Sequence, residues 1–191
     1  MKMICTKAIC CLFIACLFSA KHVAAQTVSA EEFKTQMLKD WQRAKAYTVD
    51  YLNTMPADKY SAKPVDSIRS FAQQMLHLAQ GNIFLMSTAS DQPTPAWYQT
   101  DLEHSPGAQS KDSVMYYVTA SYDYCFSGVK NSDISKWGEK KTVFNFEATR
   151  LAFMLKTFEH QTHHRGQTTI YIRLQGIKPP QERLFDNSTG M

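Results

Sequence analysis

From Ser29 to Gln175, apolar residues recur at spacings of three and four in four long stretches, and residues that cap or break helices bound those stretches. That spacing is the mark of a helix with one buried face, and four such helices hide those faces by packing on one another. The first opens on Ser29-Ala30-Glu31-Glu32, a capping-box pattern with Glu at the third helical position. Phe33, Met37, Trp41, Ala44, Thr48 and Tyr51 form its stripe, and it ends before Pro56. The second starts near Asp66 or Ser67, carries Ile68, Phe71, Met75, Leu78, Asn82 and Leu85, and ends near Thr88. The third spans Lys111 to Val129 with Val114, Tyr117, Val118, Ser121, Tyr124 and Cys125 inside; its tyrosines suit a strand, but its length and spacing suit a helix. The fourth runs from Thr149, as cap, to Gln175, where Gly176 fits a left-handed C-terminal position and Pro179-Pro180 forbid continuation.

Residues 91–110, with Pro93, Pro95, Pro106 and Gly107, read as a long loop of the kind that often covers a site. Residues 130–148, with Trp137, Phe144 and Phe146, read as a second irregular connection. Seven Gly and seven Pro in 191 residues argue against a turn-dense β-sandwich. No fixed-period repeat points to a solenoid. The expected fold is all-α: a four-helix bundle with two long inter-helix loops and no convincing strand.

Residues 1–25 form an address rather than a fifth helix of the bundle. Lys2 and Lys7 precede an apolar run, Ala8 to Ala20, too short to span a bilayer comfortably, and Val23-Ala24-Ala25 supplies small residues for a peptidase. The reading is a signal peptide cleaved after Ala25, an exported and periplasmic protein, and one domain over residues 26–191; an uncleaved anchor or lipidation at Cys16 are the alternatives. Cleavage removes Cys5, Cys10, Cys11 and Cys16 and leaves Cys125, which has no internal partner for a disulfide. Lys plus Arg falls from 21 to 18 against 17 Asp plus Glu, so the formal charge of +4 becomes about +1. A near-neutral chain has no electrostatic case for gripping a polyanion, so no nucleic-acid partner is expected, and no membrane after cleavage.

His160 and His164 stand four apart in the fourth helix, which sets both imidazoles on one face one turn apart. At about 100° per residue, Phe153, Thr157, Gln167, Tyr171 and Leu174 lie within about 60° of His160. The opposite face carries Thr162, Arg165, Thr169 and Arg173 in the C-terminal half, so the pair points into the bundle there. In the N-terminal half Leu151, Leu155 and Phe158 are apolar on the far side, and residues 130–148 are expected to cover them. Such a pair serves metal binding, capping or core hydrogen bonding. His77, beside the apolar stripe of the second helix, is placed to complete a three-nitrogen site or to bond within the core. His104 lies in the long loop; His163 sits at the edge of the His160 face, as a support, a substrate partner or a solvated side chain.

His160-Gln161-Thr162-His163-His164 mimics a zinc-protease helix, but Gln161 stands where that mechanism needs Glu, and an amide cannot act as the base. After cleavage no C-x-x-C-H run offers haem attachment.

The run His160-x-x-His163-His164-Arg165-Gly166-Gln167, continued by Ile170-Tyr171-x-Arg173-x-x-Gly176 and Pro179-Pro180, resembles the signature of the DinB-like superfamily. His77 in Gln74-Met75-Leu76-His77-Leu78 matches the family's single second-helix histidine. The resemblance spans roughly residues 30–180. It implies a bundle of unusual connectivity with a three-histidine site for a divalent metal, zinc or nickel among them, whose ligands map to His77, His160 and His164. It also implies frequent dimers, and thiol-dependent transferases or isomerases among the relatives. Those relatives use a cytosolic thiol, and the export signal departs from that pattern.

Three imidazoles with one open position suit catalytic zinc. The expected activity is therefore a metal-dependent hydrolase or thiol-type group transferase acting on a small molecule, with a non-catalytic metal- or ligand-binding bundle as alternative. Gln167, His163 and Tyr171 are the candidates for contacting substrate or supporting a ligand, with core packing the alternative for Tyr171. Arg165 is expected to pair with a carboxylate or to cap backbone, and Cys125 to be a small buried hydrophobe.

Overall fold

The structure is a computed structural model that describes residues 27–185; the expected signal peptide and its expected cleavage point lie outside the described residues. Four long helices run in order: α1 (Ala30–Thr54), α2 (Phe71–Ser90), α3 (Lys111–Asn131) and α4 (Arg150–Leu174). This is the expected bundle. The caps of α1 and α4 are those read from sequence. Ser29 accepts from the Glu32 N–H, and the Glu32 carboxylate accepts from the Ser29 N–H. The Thr149 hydroxyl accepts from the Ala152 N–H to start α4, and Ser110 caps α3 in the same way through the Ser113 N–H. Gly176 takes φ 74°, a left-handed value that a side chain disfavours, and ends α4 with its N–H on Arg173.

The start of α2 differs from the expectation. The helix begins at Phe71, not near Asp66 or Ser67, because Ser70 and Gln73 form a second capping box. The turn before it accepts two of the first helical N–H groups: Phe71 donates to the Ala62 carbonyl and Ala72 to that of Tyr60. Ile68 therefore lies outside the helix, exposed rather than in the core stripe.

A second difference is a small antiparallel hairpin within residues 130–149. Strands β1 (Lys140–Val143) and β2 (Phe146–Thr149) pair with Lys140 opposite Thr149 and Val143 opposite Phe146. Their exposed residues are Lys140, Thr142, Phe146 and Glu147 and none of the rest is fully buried, so no buried alternation announced them. The segment does close the start of α4, with the Arg150 N–H on Glu139 and the Leu151 N–H on Trp137, but Leu155 stays exposed.

Helix α2 lies at the centre, packed most extensively on α4 and α3, while α1 packs on α3 and α4. Phe71, Met75, Leu76, Leu78, Ile83 and Met86 are all fully buried along it. Each contributes about 1.5–3 kcal/mol by leaving water, which fixes the rotation of α2 and hence the side that His77 faces. Among the described residues no helix is long and apolar enough to cross a membrane.

Candidate metal centre

His77 comes from α2, and His160 and His164 from α4, where the two central helices face each other. One ring nitrogen of each lies within 4.8 Å of the others. The ring centroids are 4.3 Å apart for His160 and His164, 4.5 Å for His77 and His164, and 5.4 Å for His77 and His160. The structure thus brings together the three histidines that the sequence singled out.

Burial holds two of the rings neutral. Desolvation, then the neighbouring His77 ring, lowers the His160 pKa to about 4. Desolvation, then His160, lowers that of His164 to about 3. A neutral imidazole keeps one nitrogen bare, which is the form that coordinates a cation. The buried Nδ1 of His160 has no hydrogen-bond partner among the described residues.

Room for His160 comes from Gly81. A Cβ at that position would stand far inside contact distance of the His160 ring. The ring lies directly against bare backbone of α2, one turn beyond His77. Sequence reasoning passed over this glycine; a Gly inside a helical stripe, four residues from a candidate ligand, was the available signal.

Glu103 was also missed. It projects from the long loop, and its Oε1 accepts from His77 Nδ1 at 2.6 Å while Oε2 accepts from Arg69 Nε. A carboxylate on Nδ1 places the ring proton there and leaves Nε2 of His77 bare. The loop is pinned at this point: Leu102 is fully buried, and the Glu103 carbonyl accepts from Gln73 and Gln109. The 91–110 loop therefore supports a histidine of the cluster as well as flanking it.

Of the other candidates, Gln167 and His163 are exposed and bonded together, with Gln167 Nε2 3.0 Å from His163 Nε2. Gln167 also meets Gln74, a buried residue of α2 whose Nε2 lies 2.7 Å from His164 Nδ1. Tyr171 is buried, and its hydroxyl donates to the Arg69 carbonyl, which ties α4 to the chain just before α2. His104 is exposed and pairs with Asp101.

Arg165, expected to pair with a carboxylate or to cap backbone, has no carboxylate partner among the described residues, and its approach to backbone is one of 3.5 Å to the Ala44 carbonyl. It is buried between α4, α1 and α3, donating to Gln161 Oε1 at 2.8 Å and to Thr48, with its guanidinium 4.7 Å from the Tyr47 ring centre. The Tyr122 hydroxyl donates to the same Gln161 oxygen. Gln161, read from sequence only as a missing base, is thus a structural acceptor. Cys125 is buried with its thiol on the Asn82 carbonyl, and burial pushes its pKa up. It is the inert core thiol expected.

Two clefts flank the cluster and meet at Glu103. One, of about 550 Å³, is lined by His77, Gly81, Phe84 and Tyr98; the other, of about 630 Å³, by Arg69, Gln74, Gln167 and Tyr171. Both are of small-molecule size.

The sequence model of the DinB family matches residues 26–189. The chain belongs to the DinB family. Solved DinB-like proteins have the same fold. One from Bacillus cereus has a TM-score of 0.63 at 15% identity, over 77% of this chain and 95% of its own. One from Bacillus subtilis has a TM-score of 0.61 at 14% identity, over 81% and 99%. A conserved protein from Enterococcus faecalis has a TM-score of 0.56 at 18% identity, over 78% and 98%. Curated proteins give no significant match. The identities are low, so the likeness to these structures is one of fold.

Proposed function

We propose that this DinB-family protein binds a divalent cation, zinc first and nickel next, through His77, His160 and His164, and uses it as a metal-dependent hydrolase or group transferase on a small molecule outside the cytoplasm. The observations that carry the reading are the convergence of one ring nitrogen from each of three histidines within 4.8 Å, and the buried His160 Nδ1 that finds no partner among the described residues. Buried polar atoms are almost always bonded, and an orphan beside two further imidazoles marks a place for a ligand. An all-nitrogen neutral donor set suits a borderline divalent ion. Such a cation supplies Lewis acidity, either polarising a substrate carbonyl or favouring a deprotonated water or thiol.

The chain's own groups divide the remaining work. Glu103 keeps the proton of His77 on Nδ1. Gly81 lets His160 approach α2. The cleft lined by His77 gives substrate a way to the cluster, the second cleft reaches only Gln74 and Gln167 beside it, and Arg69, exposed and bonded among the described residues through Nε, has terminal nitrogens to offer an anionic substituent.

One observation favours a second reading, a non-catalytic cation- or ligand-binding bundle. Both oxygens of Glu103, the carboxylate bonded to His77, are engaged, so it is not free to act as a base. Export, cleavage after Ala25 and a homodimer complete the proposal.

Elemental analysis of the purified protein, with His77→Ala, His160→Ala and His164→Ala, tests the centre. One equivalent of divalent metal in the parent and loss in each variant is expected; full retention in any variant removes that residue from the set. Ester, amide and thiol-transfer substrates then divide the two readings. Metal-dependent turnover lost in His164→Ala establishes the enzyme, and no turnover despite stoichiometric metal favours the binding bundle. An intact N-terminus at Met1 on the exported protein would refute cleavage.

A further inference from the structure

Apart from glycine, two of the described residues hold a left-handed φ: Asp91 at 56° and Phe144 at 54°. Asp91 has a structural reason. It closes α2 with its N–H on the Ser87 carbonyl, and its carboxylate accepts from Lys141 and Arg150. Phe144 has none of these. It opens the two-residue turn between Val143 and Phe146, a position where a hairpin ordinarily places Gly, Asn or Asp. Asn145, which tolerates that region, stands one place too late. A bulky residue at such a φ is strained, and core burial does not offset the strain, because Phe144 is 84% exposed.

The Phe144 ring is nevertheless firmly placed. Lys141 and Arg150 clamp the base of the hairpin to Asp91 at the end of α2, and Arg150 also holds Glu139. From there the hairpin runs back along α2 to Phe84, whose ring centre lies 5.9 Å from that of Phe144 with the planes 37° apart. Phe84 lines the cleft of about 550 Å³ that His77 also lines. Seven residues of helix separate the two, which is two turns and about 10 Å on one side of α2. The loop wall is ordered in the same sense. Glu103 meets His77 and the Thr100 carbonyl accepts from Gln80, so Tyr98 falls towards the Phe84 end. The cleft is therefore polar at the histidines and aromatic about 10 Å away, and no Leu, Ile, Val or Met lines it.

We propose that this cleft takes an elongated small molecule with an aromatic end, its polar head at the histidines and its ring among Phe84, Tyr98 and Phe144. This rests on the cation site proposed above and names the substrate class of that site. Ring walls favour a ring guest over an alkyl chain, through edge-to-face and offset contacts that a chain cannot make. The backbone of Phe144 then has its reason: a turn that local preference gives to Gly carries a ring to the outer end of the cleft. Breaks in local rules of this kind gather at functional sites.

The test uses the Zn²⁺-loaded protein and hydroxamates, whose head group ligates zinc. One probe carries a phenyl ring on an alkyl chain spanning about 10 Å; the other is an unbranched alkyl hydroxamate of the same length. Calorimetry is expected to show the phenyl probe binding about threefold to tenfold tighter in the parent. That ratio is expected to fall towards one in Phe144→Gly and to be kept in Phe144→Tyr, which restores a ring. Phe144→Gly is also expected to melt about 2–4 °C higher, because Gly removes the strain at the turn. A ratio near one in the parent, or a ratio that survives Phe144→Gly, overturns the inference. So does a lower melting temperature in Phe144→Gly, which would make the ring a packing residue. Both hydroxamates bound with equal affinity overturns this inference alone; a parent that binds neither Zn²⁺ nor hydroxamate overturns the metal centre with it.

Discussion

Helix α4 carries two polar clusters on opposite sides, and they are built to opposite specifications. Towards α1 and α3 lie Gln161 and Arg165, buried and closed: the Gln161 oxygen takes both Arg165 and Tyr122, and Thr48 joins them. Towards α2 lie His160 and His164, neutral, with an unpartnered ring nitrogen and clefts on either side. The closed cluster uses its hydrogen-bonding capacity inside the fold. The open one holds capacity back, and that separates a structural polar network from a candidate site.

The contrast is sharpest under mutation. Arg165→Met strips donors from buried Gln161 and Thr48, and denaturant unfolding is expected to show a loss of about 2–4 kcal/mol. A loss below about 1 kcal/mol would remove the distinction. On the open side, Gly81→Ala places a methyl group where the His160 ring lies. It is expected to weaken divalent-cation binding by at least about 100-fold, with His160 pushed off its position. Calorimetric titration showing parental affinity would mean that the ring is not needed there. Glu103→Gln is expected to cost about 10–100-fold in cation affinity by releasing His77, with near-parental stability.

Acid separates the clusters again. Unfolded histidine titrates near 6.5, whereas folded His160 and His164 sit at about 4 and about 3. Between those values the unfolded chain binds more protons, so the contribution of both rings is complete above about pH 6.5 and is lost as pH falls through that window. Melting temperatures in chelator are expected to decline from about pH 6.5 to about pH 4, and the decline should flatten in His160→Ala and His164→Ala. An equal slope in parent and variants would contradict it. The smallest effect belongs to Tyr171→Phe, which loses one bond to the Arg69 carbonyl and about 1 kcal/mol by thermal melting.

How much of this was written in the chain depended on whether the feature is periodic. The helix periodicity and the caps at Ser29 and Thr149 follow from local chemistry, and the His160–His164 pair follows from helix geometry. The start of α2 escaped because three cap-forming residues, Asp66, Ser67 and Ser70, compete within five positions, and the carbonyls of Tyr60 and Ala62 decide among them through a turn. The β1–β2 hairpin escaped because its short, largely exposed strands carry no buried alternation. Glu103 reaches His77 from a loop 26 residues away, and nothing local marks such a contact. Arg165 was expected to find a carboxylate or backbone because its charge says nothing of the Thr48, Tyr47 and Tyr122 side chains that α1 and α3 bring to that side. Gln74 was noticed only as a neighbour of His77, since its partners belong to another helix.

The missing side chain at Gly81 has one more consequence. With the His160 ring pressed on bare backbone, α4 can sit against α2 at a single height. A slide of one helical turn would drive the imidazole into the side chain of His77 or Leu85 instead. The spacing between the two helices is thus gauged by packing alone. A cation bound there would have no helix movement to drive, and its binding energy would be left for discriminating among ions rather than for assembling the place that receives them.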